Sequence, residues 1–321
     1  MAEEYIYEVA RVHNRDTSLL TGDFMRSLAA QEDEASALKL LHEKGWGSPE
    51  MTSEEMFAEE QKETWDFITE LLKGKISDLD IFRTETDYHN LKAAVKESVR
   101  PGVHEGIFQD GGRYKAIDLY NAISDSDWES LPDEMQTPAK KAKETLLTTG
   151  DGQMCDVIID RACLEQLQAE KKKTDQKILR DYAELRTVAG DISIAVRSAR
   201  TGKSRAFLET AMAAAETLDR EELIRAAMEG TDSIYSYLAS TDYSDAVPAL
   251  SGSMAAFECW CDNRLVEAIR PEAHQYFGIG PLAAYILARQ NEIKTVRILL
   301  SAKRNNFPEE EIKERIRETY V

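Results

Sequence analysis

The sequence predicts an all-α fold. Apolar residues recur at helical spacing along most of the chain, and no segment alternates apolar and polar residues as successive half-buried strands do. A short basic segment with helical spacing also occurs three times. The 321 residues are enough to bury a core in two or three domains of ordinary size.

The repeated segment is the most informative pattern in the chain. Its three copies span residues 90–96, 191–197 and 295–301, and in each copy the second, fifth and sixth residues are apolar. This spacing places the apolar residues on one face of an α-helix. The copies lie about a hundred residues apart, which is too long a period for the common solenoid repeats and predicts three similar subdomains. We place them at residues 1–110, 111–215 and 216–321.

Residues that end helices follow each copy. They are Pro101-Gly102, Thr201-Gly202 and Asn305-Asn306. Proline cannot continue a helix, and glycine or asparagine tolerates the left-handed backbone conformation at its end. We therefore expect each copy to lie in the last turns of its helix.

The first predicted unit contains two clear helices. Thr52-Ser53-Glu54-Glu55 has the sequence of a capping box, and it opens a helix that Gly74 ends. The second helix runs from Asn90 to Val99. A glycine-rich loop at residues 101–112 and an irregular stretch around Leu131-Pro132 and Thr137-Pro138 are the expected boundaries of this unit.

The rest of the chain is predicted to be helical as well. Residues 153–200 indicate two long helices separated near residues 171–173, and a further helix over 205–212 closes the second unit. The third unit is expected to contain four helices, the last of which begins with Pro308 at its first position and has an acidic first turn. These four helices span residues 219–230, 254–270, 281–304 and 309–318.

Composition limits the possible functions. Aspartate and glutamate number 59 against 40 lysines and arginines, and the net charge of −19 argues against binding of nucleic acid or of anionic lipid surfaces. Four cysteines are too few for a disulfide scaffold, and the acidic N-terminus does not resemble a signal peptide, so we expect a cytoplasmic protein. The most apolar stretch, residues 279–287, is too short to insert into the bilayer as a span.

Three motifs could carry chemistry, and each has a simpler explanation. Thr201-Gly202-Lys203-Ser204 resembles the end of a phosphate-binding loop, but Arg197 stands where that loop needs glycine and a helix precedes it. A glycine-capped helix end is the preferred interpretation. Cys259-Trp260-Cys261 has no second ligand pair nearby and indicates buried cysteines. Acidic pairs such as Asp156 and Asp160 indicate solvated helix faces or partners within one helix, so we predict no catalytic, cofactor or metal residues.

A set of basic residues lies in or just after the repeated segments. Two interpretations stay open: they balance charges within the protein and at helix ends, or they face an acidic partner. The candidate contact residues are Lys92, Lys96, Arg197, Arg200, Arg297, Lys303 and Arg304.

Several blocks of the chain resemble the C subunit of V-type and A-type rotary ATPases, whose eukaryotic counterpart is the d subunit. The most specific blocks are Asp87-Tyr88-His89-Asn90-Leu91-Lys92 and the C-terminal stretch over residues 280–297 and 307–317, ending in Tyr320-Val321. Residues 5–12 and 152–161 also match. The second repeat departs from the pattern with Ser193 at the usual basic position, and residues 131–143 have no match.

The resemblance implies a funnel of three similar helical subdomains about a pseudo-threefold axis. It also implies a non-catalytic subunit without a cofactor, which sits on the cytoplasmic end of the membrane rotor ring of proteolipid subunits. There it receives the foot of the central stalk, so that torque couples ATP hydrolysis or synthesis to ion transport. Two alternatives remain: a helical-repeat adaptor that binds other proteins, and an enzyme with dispersed carboxylates, which would need a deep pocket of converging ionisable groups.

Overall fold

The computed structural model describes residues 5–100, 102 and 106–321. Over these residues the fold is all-α, as predicted, with no strand. Short 3-10 helices lie at Ser77–Arg83, Trp128–Ser130, Ser244–Ala246 and Arg270–His274. The α-helices are α1 (Ile6–Asp16), α2 (Gly22–Ala29), α3 (Glu34–Glu43), α4 (Ser53–Leu71), α5 (Thr84–Val99), α6 (Ala116–Asp125), α7 (Asp133–Thr149), α8 (Gly152–Lys171), α9 (Lys177–Thr201), α10 (Arg205–Ala211), α11 (Arg220–Glu229), α12 (Thr231–Leu238), α13 (Val247–Gly252), α14 (Met254–Ile269), α15 (Gly280–Arg304) and α16 (Glu309–Lys313).

Contacts divide the chain into two compact units. The first unit comprises Met1–Ser77, Gln176–Ile178 and Pro248–Val321, and the second comprises Asp78–Asp175 and Leu179–Val247. The first unit therefore joins the two ends of the chain. The division into three subdomains over residues 1–110, 111–215 and 216–321, with its funnel and pseudo-threefold axis, stays a prediction.

The first unit is built around α15. Residues 281–289 of this helix are all buried, so the most apolar stretch of the sequence belongs to the core helix of a protein unit. A core cluster packs the apolar face of α15 against α2, α3 and α4, with Ile312 of α16 inserted at its edge. No helix in the described part of the chain is long and apolar enough to cross a membrane.

The second unit contains a core cluster formed by α5, α6, α7 and α8. Its centre includes Leu91, Ile123, Met135 and Ile159, none of which is exposed to solvent. Helix α9 lies in the same unit over all but its first two residues. Its Gly190 allows close packing, because a Cβ atom there would lie 3.0 Å from Leu164 of α8.

The three copies of the repeated segment lie in α5, α9 and α15, as predicted. All of their predicted apolar residues are at most 1% exposed, which confirms the helical face assigned from the sequence. Gly202 and Asn306, which follow the second and third copies, have φ of +62° and +53°, as the helix-end interpretation requires. Pro101, the corresponding residue after the first copy, lies outside the described residues. The nine apolar residues are Leu91, Ala94, Val95, Ile192, Ala195, Val196, Val296, Leu299 and Leu300.

The capping box at Thr52 is present, with Thr52 and Glu55 each bonding to the backbone of the other. The irregular stretch predicted at Thr137-Pro138 is wrong, because Pro138 lies inside α7. Proline lacks the N–H that would bond to the carbonyl of Glu134, four residues earlier. The hydroxyl of Tyr88 donates to that carbonyl over 3.4 Å and so gives it another partner.

The last predicted helix, over residues 309–318, is too long. Helix α16 ends at Lys313, and Pro308 precedes it as the N-cap with ψ of 144°, so Pro308 is not the first helical residue. Side chains of α14 and α15 hold the residues that follow. Arg317 donates to Asp262 over 3.0 Å, and the Glu318 N–H donates to Asn263 over 2.8 Å. The Glu318 N–H thus bonds to a side chain of α14 in place of a helical carbonyl.

Candidate functional site on the repeated basic helices

The basic residues of the first copy form ion pairs with α8. Lys92 Nζ lies 2.7 Å from Asp160 Oδ1, and Lys96 Nζ lies 2.9 Å from Asp156 Oδ2. Both pairs repeat at a spacing of four residues on each helix, so one face of α5 matches one face of α8. The acidic pair Asp156 and Asp160 thus partners a neighbouring helix, whereas the sequence had indicated a solvated face or partners within one helix.

The second copy presents two arginines on α9. Arg197 and Arg200 are both exposed to solvent. The next residues do not form a phosphate-binding loop. Ser204 caps α10 by accepting from the Phe207 N–H over 3.2 Å, and Lys203 donates to Gln153 over 2.6 Å. The helix-end interpretation of this motif is therefore correct.

The basic residues of the third copy contact other elements of the first unit. Arg297 lies 3.4 Å from the Glu54 carboxylate and 4.7 Å from the ring centre of Phe57. Arg304 forms an ion pair with Glu34 and donates to Ser53 over 2.9 Å. Cations at the end of α15 also oppose the negative end of its helix dipole.

Lys303 differs from the other six residues because it is buried, with 7% of its surface exposed. Its ammonium group donates to the carbonyls of Ala29, over 2.8 Å, and Gln31 at the end of α2. Burial lowers the pKa of Lys303, and Glu309 and Asp33 oppose this. The buried ammonium group of Lys303 therefore caps the C-terminal end of α2.

Partners inside the chain are described above for Lys92, Lys96, Arg297, Lys303 and Arg304. Internal charge balance accounts for these five. Lys92, Lys96, Arg197 and Arg200 lie in the second unit, and the other three residues lie in the first. Contact of any of the seven with an acidic partner stays a prediction.

Reversing the charge of Lys96 tests its internal role. Lys96→Glu places a carboxylate beside Asp156, and we expect it to lower the free energy of unfolding by about 1 kcal/mol. Adding Asp156→Lys should recover most of that loss, because the pair is restored in the opposite sense. Urea denaturation measures both effects.

Lys140→Glu, on the exposed face of α7, is the matched control and should change stability little. A Lys96→Glu effect that Asp156→Lys does not reduce would contradict the ion pair.

Two copies of the repeated segment begin with a polar residue that holds a loop. Asn90 stands just before the apolar residues of the first copy, and it both accepts from the N–H and donates to the carbonyl of Gln109, each over 2.8 Å. Asp191, at the same position of the second copy, accepts from the Ala213 N–H over 3.0 Å. Burial raises the pKa of Asp191 to about 7. Thr295 differs, because its hydroxyl bonds within its own helix to Asn291.

A buried ion network fixes Arg113, which lies shortly before α6. Asp87 is fully buried and accepts from the backbone N–H of Arg113 over 2.7 Å and from its Nε over 2.5 Å. The same guanidinium reaches Glu170 of α8 over 2.9 Å. Burial raises the pKa of Asp87, and these donors oppose that rise. Gly112 is needed here, because a Cβ atom would lie 2.6 Å from Asp87 Oδ1.

A second network joins α8 and α9 to the segment after α10. Glu184 accepts from Lys171 over 2.7 Å and from the backbone N–H groups of Glu216 and Thr217 over 2.8 and 2.7 Å. Burial tends to raise the pKa of Glu184, but these donors outweigh it and the pKa lies below its usual value. Glu184 is therefore held as a carboxylate that orders a loop.

The first unit contains a buried triad. Arg289 lies between Glu60 of α4 and Glu292, and its Nη1 is 2.7 Å from Glu292. Glu292 also accepts from the Leu20 N–H between α1 and α2. Burial raises the pKa of Glu292 to about 7, although Arg289 opposes this. One guanidinium thus serves two carboxylates.

The sequence analysis missed these three networks. The available signal was a charged or polar residue on the apolar side of a predicted helix, as at Glu184 and Glu292, whereas Asp87 lies before the predicted start of its helix at Asn90. Such positions are costly unless the group is bonded, so they mark a structural or functional role. The partners Arg113, Leu20 and Thr217 come from loops and could not be assigned from spacing.

The three buried networks connect loops and helices within each unit. Among the described residues, no group of three or more His, Cys, Asp or Glu side chains is placed to hold a metal ion. Neither Cys259 nor Cys261 is in a disulfide; Cys261 is buried, as predicted, but Cys259 is only partly buried. A cavity of about 350 Å³ lies between the ends of α2 and α15, lined by Glu32, Lys303, Phe307 and Glu309 among others. Lys303 is already bonded to two carbonyls there.

Comparison with known proteins identifies the family. A family model described as ATP synthase (C/AC39) subunit matches residues 9–315. The C subunit of the V-type sodium ATPase of Enterococcus hirae is 25% identical over 245 residues, which cover 75% of this chain and 74% of that protein. The C subunit of the V-type ATP synthase of Thermus thermophilus is 23% identical over 333 residues, covering 98% of this chain and 99% of that protein. The match extends over nearly the whole chain, so this chain belongs to the ATP synthase (C/AC39) subunit family.

Proposed function

We propose that this chain is the C subunit of a V-type or A-type rotary ATPase. In this role it joins the central stalk to the membrane rotor ring, and torque passing through it couples ATP hydrolysis or synthesis to ion transport. The observation that carries the proposal is the family match over residues 9–315, together with alignment over 98% of the chain to the C subunit of a V-type ATP synthase. The protein itself is non-catalytic and needs no cofactor.

Its partners are the stalk subunits and the proteolipid subunits of the ring. The chain is cytoplasmic and reaches the membrane through the complex, without inserting into the bilayer or binding nucleic acid.

Rigidity within each unit supports a role in transmitting torque. A protein that couples stalk to ring must not deform under load, and close-packed helices provide that stiffness. In the first unit, Arg289 and Glu60 join helices that are 229 residues apart in sequence, and Lys303 reaches Ala29 over a separation of 274 residues. In the second unit, Glu184 and Asp87 tie loops to helices. Such bonds resist displacement of loops and helix ends.

Arg197 and Arg200 are exposed on α9, and we propose that they contact an acidic partner surface. We expect the double variant Arg197→Glu/Arg200→Glu to keep its helical content but to bind the central stalk or the ring at least about tenfold more weakly. Surface plasmon resonance with purified stalk subunits and detergent-solubilised ring measures this.

Arg180→Glu is the matched control. Arg180 is also exposed on α9 but lies outside the repeated segment, and its reversal should leave binding unchanged. Equal weakening by the control would show a general charge effect and remove these arginines from the interface. A chain that binds neither stalk nor ring would instead favour a helical adaptor with other partners.

A further inference from the structure

His13 of α1 has a hydrogen-bond acceptor at each ring nitrogen. Its Nδ1 lies 2.9 Å from Asp16 Oδ2, and its Nε2 lies 2.7 Å from the backbone carbonyl oxygen of Gln275. A neutral imidazole carries one N–H and can donate to only one of them. The Gln275 carbonyl and an ionised Asp16 carboxylate have no hydrogen of their own to donate to the other ring nitrogen. To form both bonds, the His13–Asp16 pair must therefore hold one more proton than a neutral imidazole and a carboxylate contain.

We propose that His13 is a pH-sensitive clasp, which holds the segment of residues 275–278 against α1 only while the His13–Asp16 pair carries that additional proton. Both bonds lie within the first unit. The bond to Gln275 spans 262 residues of sequence, so it ties the start of the chain to the segment that leads into α15.

The held segment carries two exposed aromatic side chains. Tyr276 and Phe277 are 73% and 49% exposed, and Gly278 has φ of +87° before α15 begins. The Gln275 N–H bonds locally, to the Glu272 carbonyl, whereas the Gln275 carbonyl is held by His13. Loss of the His13 bond would therefore change the mobility of these two exposed aromatic side chains.

Loss of the proton is expected to break the bond to Gln275 and keep the bond to Asp16. A hydrogen bond to a carboxylate is stronger than one to a neutral carbonyl, so the remaining N–H should stay on Nδ1. Nε2 would then direct a lone pair at the Gln275 oxygen. That contact is repulsive and the segment would move away.

The surrounding groups raise the pH at which His13 loses this proton. Burial lowers the pKa of His13, but bonds to Gln275 and Asp16 outweigh it, and the pKa lies above its usual value of 6.5. Burial raises the pKa of Asp16, which His13 opposes. Burial raises the pKa of Tyr320, in the C-terminal segment, and the negative charges of Asp16 and Glu272 raise it further. Burial also raises the pKa of Glu272. The stabilisation is thus complete below pH 6.5 and is lost as pH rises through the raised pKa.

Hydrogen exchange of the full chain tests the clasp. After correction for intrinsic exchange rates, we expect the Gln275 amide, whose N–H bonds to the Glu272 carbonyl, to exchange about fivefold or more faster at about pH 8.5 than at about pH 6, because loss of the His13 bond lets this segment open more often. His13→Gln should remove this pH dependence, because glutamine does not titrate. His42→Gln is the matched control: the His42 ring bonds to the Trp46 carbonyl, and its replacement should leave the dependence intact.

A second variant keeps the test decisive if His13→Gln fails to fold. Asp16→Asn retains His13 but removes the carboxylate, and it should lower the His13 pKa measured by NMR titration and shift the exchange midpoint to lower pH. Exchange that does not depend on pH in the unmodified chain, or the same dependence in His13→Gln, would overturn the proposal.

Discussion

Replacing Arg289 with methionine is expected to lower the free energy of unfolding of the first unit by about 3–5 kcal/mol at pH 8. Arg289 is 8% exposed, and so is Glu60, while Glu292 is 5% exposed. Without the guanidinium, two carboxylates face each other in the core with no positive charge between them. Such a change removes one partner of a buried network and leaves the other charges uncompensated, which is among the most costly substitutions known.

The loss should depend on pH. Burial raises the pKa of Glu292 to about 7, so its neutral form is favoured by folding. A group with a raised pKa stabilises the folded state below its unfolded pKa, and that contribution disappears as pH rises through the folded value. Arg289→Met should therefore be less destabilising at about pH 5, where the carboxyl groups take up protons, than at about pH 8.

Two further variants separate the triad from a general effect of losing arginine. Arg304→Met removes a guanidinium that is 54% exposed, and its loss should cost less than about 1 kcal/mol. Adding Glu60→Gln and Glu292→Gln to Arg289→Met should recover part of the stability, because the buried charges disappear together. Urea denaturation followed by circular dichroism measures all of them. Equal effects of Arg289→Met and Arg304→Met would contradict the buried triad.

The sequence predicted the helices best where one pattern repeats. The copies in α5, α9 and α15 were placed on the correct face because their apolar residues follow helical spacing, and the capping box at Thr52 depends on residues three apart. These signals are local. The α7 helix was missed at Pro138 because the compensating group, the Tyr88 hydroxyl, lies 46 residues away from Glu134.

The candidate site was less predictable for the same reason. The sequence pattern does not distinguish Lys303 from Lys92 or Arg304. Yet Lys303 is buried against the end of α2, and this burial depends on the packing of α15. Asp87 meets Arg113 and Glu292 meets Leu20 through loops whose conformation is not encoded in a periodicity. The division into two compact units likewise depends on contacts between the two ends of the chain.

Removing this chain from a reconstituted rotary ATPase should separate ATP hydrolysis from ion transport. We expect ATP hydrolysis by the soluble catalytic head to continue, because the proposed coupling role gives this chain no part in the chemistry, while ATP-driven ion transport falls to background. The physical reason is that torque from the stalk has no rigid connection to the ring. Adding the purified chain back should restore transport in proportion to its binding.

The most direct test of the coupling role is therefore a paired measurement of ATP hydrolysis and ion transport in proteoliposomes, with and without this chain. The coupling account predicts hydrolysis in both preparations and transport only where the chain is present, with the Arg180→Glu control chain as effective as the unmodified one. Equal ion transport in its absence would contradict the account.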